Sequence, residues 1–123
     1  MGLRDRLRQD LPAAIKAHDA VAARALRLAI SAIENAEAVD AEVLRNVEGT
    51  IAGAVPGLGA GDVARRPLAE ADVVAIVRDE IGDRESAAAE YDSLGRWKEA
   101  TELRAEAAVL LSVLNPGLSS NGA

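Results

Sequence analysis

Apolar residues recur at every fourth position at the start of the chain. They are Leu3, Leu7, Leu11 and Ile15. Because this spacing keeps side chains on one side of a helix, it predicts a helix over residues 3–18. Pro12 lacks a backbone donor, and its ring crowds the preceding turn. We therefore expect either a kink near residues 8–12 or a helix that begins close to Pro12.

A second apolar stripe follows Asp19, which is the expected N-cap of the next helix. The stripe runs through Val21, Ala25, Leu28 and Ala32, with Leu26, Ile30 and Ile33 beside it. It predicts a helix over residues 20–46 that packs at a shallow angle against its neighbour. The pattern then stops. Residues 49–67 contain five glycines and two prolines, and we expect a flexible loop there.

Two more helices are predicted after this loop, over residues 70–94 and 97–114. Leu68 and Val73 have the spacing of a hydrophobic staple around a start at Ala69, and Gly95 is placed to end the third helix. The residues expected to face inward on the third helix are Val73, Val77, Ile81, Arg84, Ala88 and Tyr91. On the fourth helix they are Ala100, Leu103, Ala107, Leu110 and Leu114. Residues 116–123 are expected to form a frayed tail.

These elements predict one all-α domain over residues 1–123, made of two antiparallel helical hairpins joined by a Gly-rich loop. Half of the residues are apolar, but there is no Phe, one Trp and one Tyr, so the core should consist of small side chains. A homo-oligomer, in which a second copy helps to bury apolar surface, therefore remains an alternative. With zero Cys, disulfides and thiolate metal sites are excluded. We expect a cytoplasmic protein, because no apolar run is long enough for a membrane span and the N-terminus is charged.

The charge is distributed unevenly along the chain. Its net value of −6 argues against a general nucleic-acid binder. Residues 1–31, however, hold six basic and three acidic residues, whereas residues 32–123 hold eight basic and seventeen acidic ones. The best candidate for an anion-binding patch is Lys16, Arg24 and Arg27, with Arg4 and Arg8 at its edge. The alternative is that these side chains solubilise the surface or pair with the acidic second hairpin.

Other residues that could take part in binding or catalysis have ordinary structural interpretations. His18 is expected to cap a helix end or lie at the surface, and Asp79 with Asp83 to form a solvated face rather than a metal site. The glycines at 57, 59 and 61 indicate a linker rather than a phosphate loop, because no strand precedes them. Tyr91 and Trp97 could stack on a base, but we expect them to close the second hairpin. No catalytic residue, metal ligand or cofactor is predicted.

Three segments carry motifs in a recognisable order. The first contains Lys16, Ala17 and Asp19, and the second contains Arg27, Leu28, Asn35, Ala36 and Glu37. The third contains Arg84, Ser86, Glu90, Tyr91, Gly95 and Arg96. In their order and spacing these segments resemble the GatB/YqeY family of small helical proteins over most of residues 3–114, apart from the Gly-rich loop. We expect the family's C-terminal three-helix subdomain, which would follow Pro116, to be lacking.

The resemblance implies an all-α fold and an association with tRNA-dependent amidation. In the family's larger relatives this domain is the tail of the amidotransferase B subunit, which contacts tRNA while other domains carry out the chemistry. We therefore expect a non-catalytic binding module for tRNA or for a tRNA-amidating assembly. The alternative is a homo-oligomeric scaffold or protein-interaction module without a tRNA role. A third hypothesis, an amidotransferase in its own right, lacks any signature of a nucleophile.

Overall fold

The computed structural model describes the backbone of residues 2–50 and 68–116, and the side chains of these residues apart from 40–50. Four α-helices make up nearly all of this part. They are α1 (Leu3–Lys16), α2 (Ala20–Thr50), α3 (Glu70–Ser93) and α4 (Trp97–Leu114). Neither of the two described ranges contains a strand. The predicted all-α fold with four helices is confirmed.

The structure rejects one alternative left open for the first helix, and it places the end of the second helix later than predicted. α1 runs through Pro12 as one helix, so the helix does not begin there. Buried Leu7 and Ala14 lie on either side of Pro12, and their packing outweighs the loss of one backbone hydrogen bond. α2 continues to Thr50, so Gly49 is helical. A glycine disfavours a helix by only about 1 kcal/mol relative to alanine, which is too little to end the helix here. The remainder of the expected loop and the tail beyond Pro116 lie outside the described residues.

The helices are arranged so that both hairpins begin at the same end. The backbone N–H of Leu3 donates to Glu70 Oε2 at 3.0 Å, which joins the first residues of α1 and α3. Arg6 Nε donates to the carbonyl of Val113 at 3.2 Å, in the last turn of α4. The two interhelical turns therefore lie together at the opposite end, called the turn end below. It comprises residues 17–19 and 94–96.

The core lies where α2 packs against the three other helices. Its largest fully buried side chains are Leu3, Leu7, Leu26, Ile33, Val77 and Leu110. Alanines fill much of the remaining core, including Ala25, Ala29 and Ala100, each 0% exposed. Within the described residues no aromatic side chain is buried. Small side chains let the helices approach closely, at the expense of apolar area per residue.

The inward faces match the predictions best on α3. Five of its six predicted residues are buried, and Tyr91 is half-buried. On α1, by contrast, Ile15 is 50% exposed and Ala14 takes the inward position. Each step of four residues rotates a side chain about 40° past a full turn, so Ile15 lies roughly 120° from Leu3. On α2, Leu28 is 43% exposed because the buried sector is centred on Ala25, Leu26 and Ala29.

Both interhelical turns have the same hydrogen-bonding pattern. After α3, the N–H groups of Gly95 and Arg96 donate to the carbonyls of Asp92 and Tyr91 at 3.0 and 2.8 Å, and Gly95 has φ +76°. This is the Schellman arrangement, which requires a left-handed residue. The turn after α1 repeats it with His18 in the left-handed position, at φ +56°. Asp19 then caps α2, since its Oδ1 accepts from the N–H of Ala22 at 3.0 Å.

Candidate nucleic-acid interface

Two arginines in the first half of α1, Arg4 and Arg8, lie close to acids on α2. Arg4 forms an ion pair with Glu37 at 2.8 Å, and Arg8 lies 3.8 Å from Glu34. The ion pair with Arg4 lowers the pKa of Glu37, an effect that burial opposes and that the N–H of Leu68 reinforces. Arg4 is only 22% exposed and is committed to this pair, so it is poorly suited to an anion-binding patch. Arg8 is 52% exposed and only weakly paired, so it remains a candidate for the edge of the patch.

The three central residues of the predicted patch are all exposed, near the turn end. Lys16 is the last residue of α1, while Arg24 and Arg27 lie one turn apart near the start of α2. Neither Lys16 nor Arg27 forms an ion pair with any acid of the described residues. Both are available to a negatively charged ligand.

Arg24 is partly committed to another contact. Its Nε lies 3.7 Å from Glu106 Oε2, yet its side chain is 72% exposed. At that distance and exposure the pair is weak, so the guanidinium can turn toward a ligand. The alternative of pairing with the acidic second hairpin therefore applies to Arg24. It does not apply to Arg27 or Lys16 within the described residues.

Beneath Arg24 lies a buried ionic cluster that the sequence patterns did not reveal. Arg84 Nε donates to Glu106 Oε1 at 2.9 Å, and Arg84 Nη1 donates to Glu80 Oε1 at 2.9 Å. Burial opposes the charge on Arg84, but the hydrogen bonds to Glu80 and Glu106 raise the pKa of its guanidinium. The sequence signal that could have revealed this cluster was Arg84 itself. A cation predicted on an inward face requires a facing acid, and Glu106 occupies the matching stripe of α4.

The two aromatic residues near the second turn do not form the expected pair. Trp97 is 71% exposed, and Leu94, just before Gly95, is also 71% exposed. The hairpin is closed instead by the turn itself and by Arg96, whose guanidinium carbon lies 5.6 Å from the centre of the Tyr91 ring. With most of its surface exposed, the indole of Trp97 does not close the hairpin.

The remaining candidates are placed at the surface. His18 is exposed and supplies the left-handed residue that ends α1. Asp79 and Asp83 are exposed on α3. Among the described residues no group of three or more His, Cys, Asp or Glu side chains could hold a metal ion. The glycines at 57, 59 and 61 fall outside the described ranges.

Comparison with protein-family models, with curated proteins and with solved structures gave no match. Within residues 2–50 and 68–116, no helix is both long enough and apolar enough to cross a membrane.

Proposed function

We propose that this chain is a non-catalytic helical binding module that associates with tRNA or with a tRNA-dependent amidotransferase assembly. The observation that carries the proposal is the exposure of Lys16, Arg24 and Arg27, which lie in the last turn of α1 and the first eight residues of α2. Phosphate groups are bound by exposed cations that are not already neutralised. The resemblance to the GatB/YqeY family supplies the class of nucleic acid.

The test is fluorescence anisotropy of labelled bulk tRNA titrated with the protein at about 50 and 200 mM salt. Three phosphate contacts imply a loss of affinity of roughly 20- to 40-fold over that range. Absence of binding at the lower salt concentration would overturn the proposal. A binding constant that does not change with salt would also contradict it, because phosphate contacts release counterions.

Charge reversals locate the binding surface. Lys16→Glu and Arg27→Glu should each weaken tRNA binding several-fold without loss of helicity, since neither side chain has a structural partner among the described residues. Arg78→Glu is the matched control, because Arg78 is also exposed but lies on α3, outside the patch. Equal losses in all three variants would mean that overall charge, rather than this patch, governs binding. Arg24 is less suitable, since Arg24→Glu would place a second carboxylate beside buried Glu106.

A second candidate function is a homo-oligomeric scaffold or protein-interaction module. It is favoured by large apolar side chains that remain exposed, including Trp97 and Leu94 at 71% and Leu111 at 44%. Scattered single exposures are normal, but grouped ones indicate a contact surface. Salt separates the two functions, since packing of apolar helix faces does not weaken with added salt as phosphate binding does.

A further inference from the structure

An apolar groove runs along the outer face of the second hairpin, between α3 and α4. It has a volume of about 310 Å³. Its lining residues are Ile81, Glu85, Arg104, Ala107, Ala108 and Leu111. Ile81 and Ala107 form a buried floor, whereas Leu111 is 44% exposed at one edge. All six lining residues belong to α3 and α4.

The three exposed α4 residues of the groove share a helical stripe with Trp97, which lies outside the groove lining. Trp97, Arg104, Ala108 and Leu111 follow one another at steps of seven, four and three residues. Such steps keep side chains on one face of a helix. The stripe therefore has large apolar residues at both ends, about 21 Å apart along the helix axis. Arg104 lies between these two ends.

The groove contains one charge of each sign. Glu85 lies on the α3 side, is exposed and forms no ion pair within the described residues. Arg104 lies on the α4 side and contacts Asp92, which leaves its side chain 52% exposed. A surface with an acid on one side and a base on the other is complementary to itself after a two-fold rotation.

We propose that a second copy of this chain packs on this groove, forming a two-fold symmetric dimer in which α3 of each copy lies over α4 of the other. Glu85 and Arg104 line the same groove, so they are at the same height along the hairpin. A two-fold axis parallel to the helices exchanges α3 and α4 while keeping that height. It therefore brings Glu85 of one copy to Arg104 of the other, twice per dimer.

The size of the face approaches that of a small specific contact. α4 is about 27 Å long and α3 about 36 Å, at 1.5 Å per residue. Two helices side by side are roughly 18 Å wide, so the shared face projects to about 500 Å² before side-chain relief is added. Specific interfaces begin near about 600 Å² per partner. The small residues Ala107 and Ala108 allow the close approach that burial of this area needs.

This proposal gives the second candidate function its partner and surface, and it does not depend on tRNA binding. Sedimentation or light scattering of the full chain should give about twice the monomer mass of 12.8 kDa at micromolar concentration. The Glu85→Arg and Arg104→Glu variants should each be monomeric, because each places like charges opposite one another. A mixture of the two variants should recover a dimer, since both charge pairs are then opposite in sign.

The matched control is Asp83→Arg. It makes the same change of charge two residues from Glu85, but on a side of α3 roughly 160° away, and it should remain dimeric. Circular dichroism of each variant confirms that the helices are retained. A monomeric wild-type chain at all concentrations, single variants that stay dimeric, or a mixture that stays monomeric would each overturn the proposal. The tRNA titration is repeated on Glu85→Arg, so that loss of dimer and loss of tRNA binding are observed separately.

Discussion

Arg84 and Glu106 form a buried ion pair that joins α3 to α4, with Nε and Oε1 at 2.9 Å and side chains only 8% and 9% exposed. Glu106 also faces Arg24 on α2, so one carboxylate connects three helices. Glu80 satisfies a second donor of Arg84. In a core made largely of alanine and leucine, this polar cluster fixes how α3 is placed against α4.

Removing the carboxylate of Glu106 should destabilise the protein strongly. We expect Glu106→Ala to lower the free energy of unfolding by about 3 kcal/mol, because it leaves a buried guanidinium with one partner fewer. Urea denaturation followed by circular dichroism measures this. Glu102→Ala, one turn earlier and exposed, is the control and should change stability by less than about 0.5 kcal/mol.

The double variant Arg84→Met/Glu106→Leu tests whether the pair contributes specificity rather than stability. We expect it to be close to the wild type in stability, since well-packed apolar residues replace a buried ion pair at little cost. A double variant as unstable as Glu106→Ala would show that packing at this site, rather than an unpaired charge, causes the loss.

The ion pair between Glu37 and Arg4 should make stability depend on pH. The pKa of Glu37 is lowered in the folded protein, first by its short ion pair with the Arg4 guanidinium. The stabilisation is therefore complete above the ordinary carboxyl pKa of about 4.3 and is lost as pH falls through the lower folded value. Glu37→Gln should cost about 0.5 to 1 kcal/mol at pH 7 and progressively less in acid.

Thermal denaturation at pH 7, 5 and 3 measures this difference. The control is Glu34→Gln, because Glu34 is 56% exposed and lies 3.8 Å from Arg8. It should have little effect at any pH. A Glu37→Gln effect that is constant across the three pH values would contradict the interpretation.

The two left-handed turn residues should respond in opposite directions to substitution. His18 bears the strain of φ +56°, so His18→Gly should raise stability by about 0.5 to 1 kcal/mol. Gly95→Ala should lower it by about 1 kcal/mol, although a Cβ there meets no atom within 4 Å, since the cost is conformational. Melting temperatures compare the two. A destabilising His18→Gly would mean that the imidazole makes a contact worth more than the strain.

The exposure of Trp97 predicts that its indole adds little to the stability of the monomer. In the Glu85→Arg background, which removes the proposed dimer contact, Trp97→Ala should change the free energy of unfolding by less than about 0.5 kcal/mol. Since the chain has one Trp, quenching of its fluorescence also reports its exposure directly. A loss above about 2 kcal/mol would mean that Trp97 does hold α3 and α4 together.

The predictions that depended on local signals were the accurate ones. The N-cap at Asp19, the left-handed Gly95 and the inward face of α3 follow from interactions within a few residues, which sequence spacing records. The prediction that Leu28 and Ile15 face inward was wrong. Sequence spacing shows that an apolar residue lies on one face of a helix, but only the positions of the neighbouring helices show whether that face is buried. Lys16 and Arg27 are exposed, as an anion-binding patch requires. The acids that pair with Arg4, Arg8 and Arg24 lie on other helices, so sequence spacing did not reveal them.

The sequence by itself determined the four helices of residues 2–50 and 68–116, the position of the turn within each hairpin, and a core built from small aliphatic side chains. Tertiary structure alone decided which charges are neutralised. Arg24 and Glu106 are 82 positions apart, and no periodicity relates them. It also decided that Trp97 faces outward and that Glu85 and Arg104 share one groove. Helix formation depends on contacts between near neighbours, whereas pairing and exposure depend on how the finished helices pack.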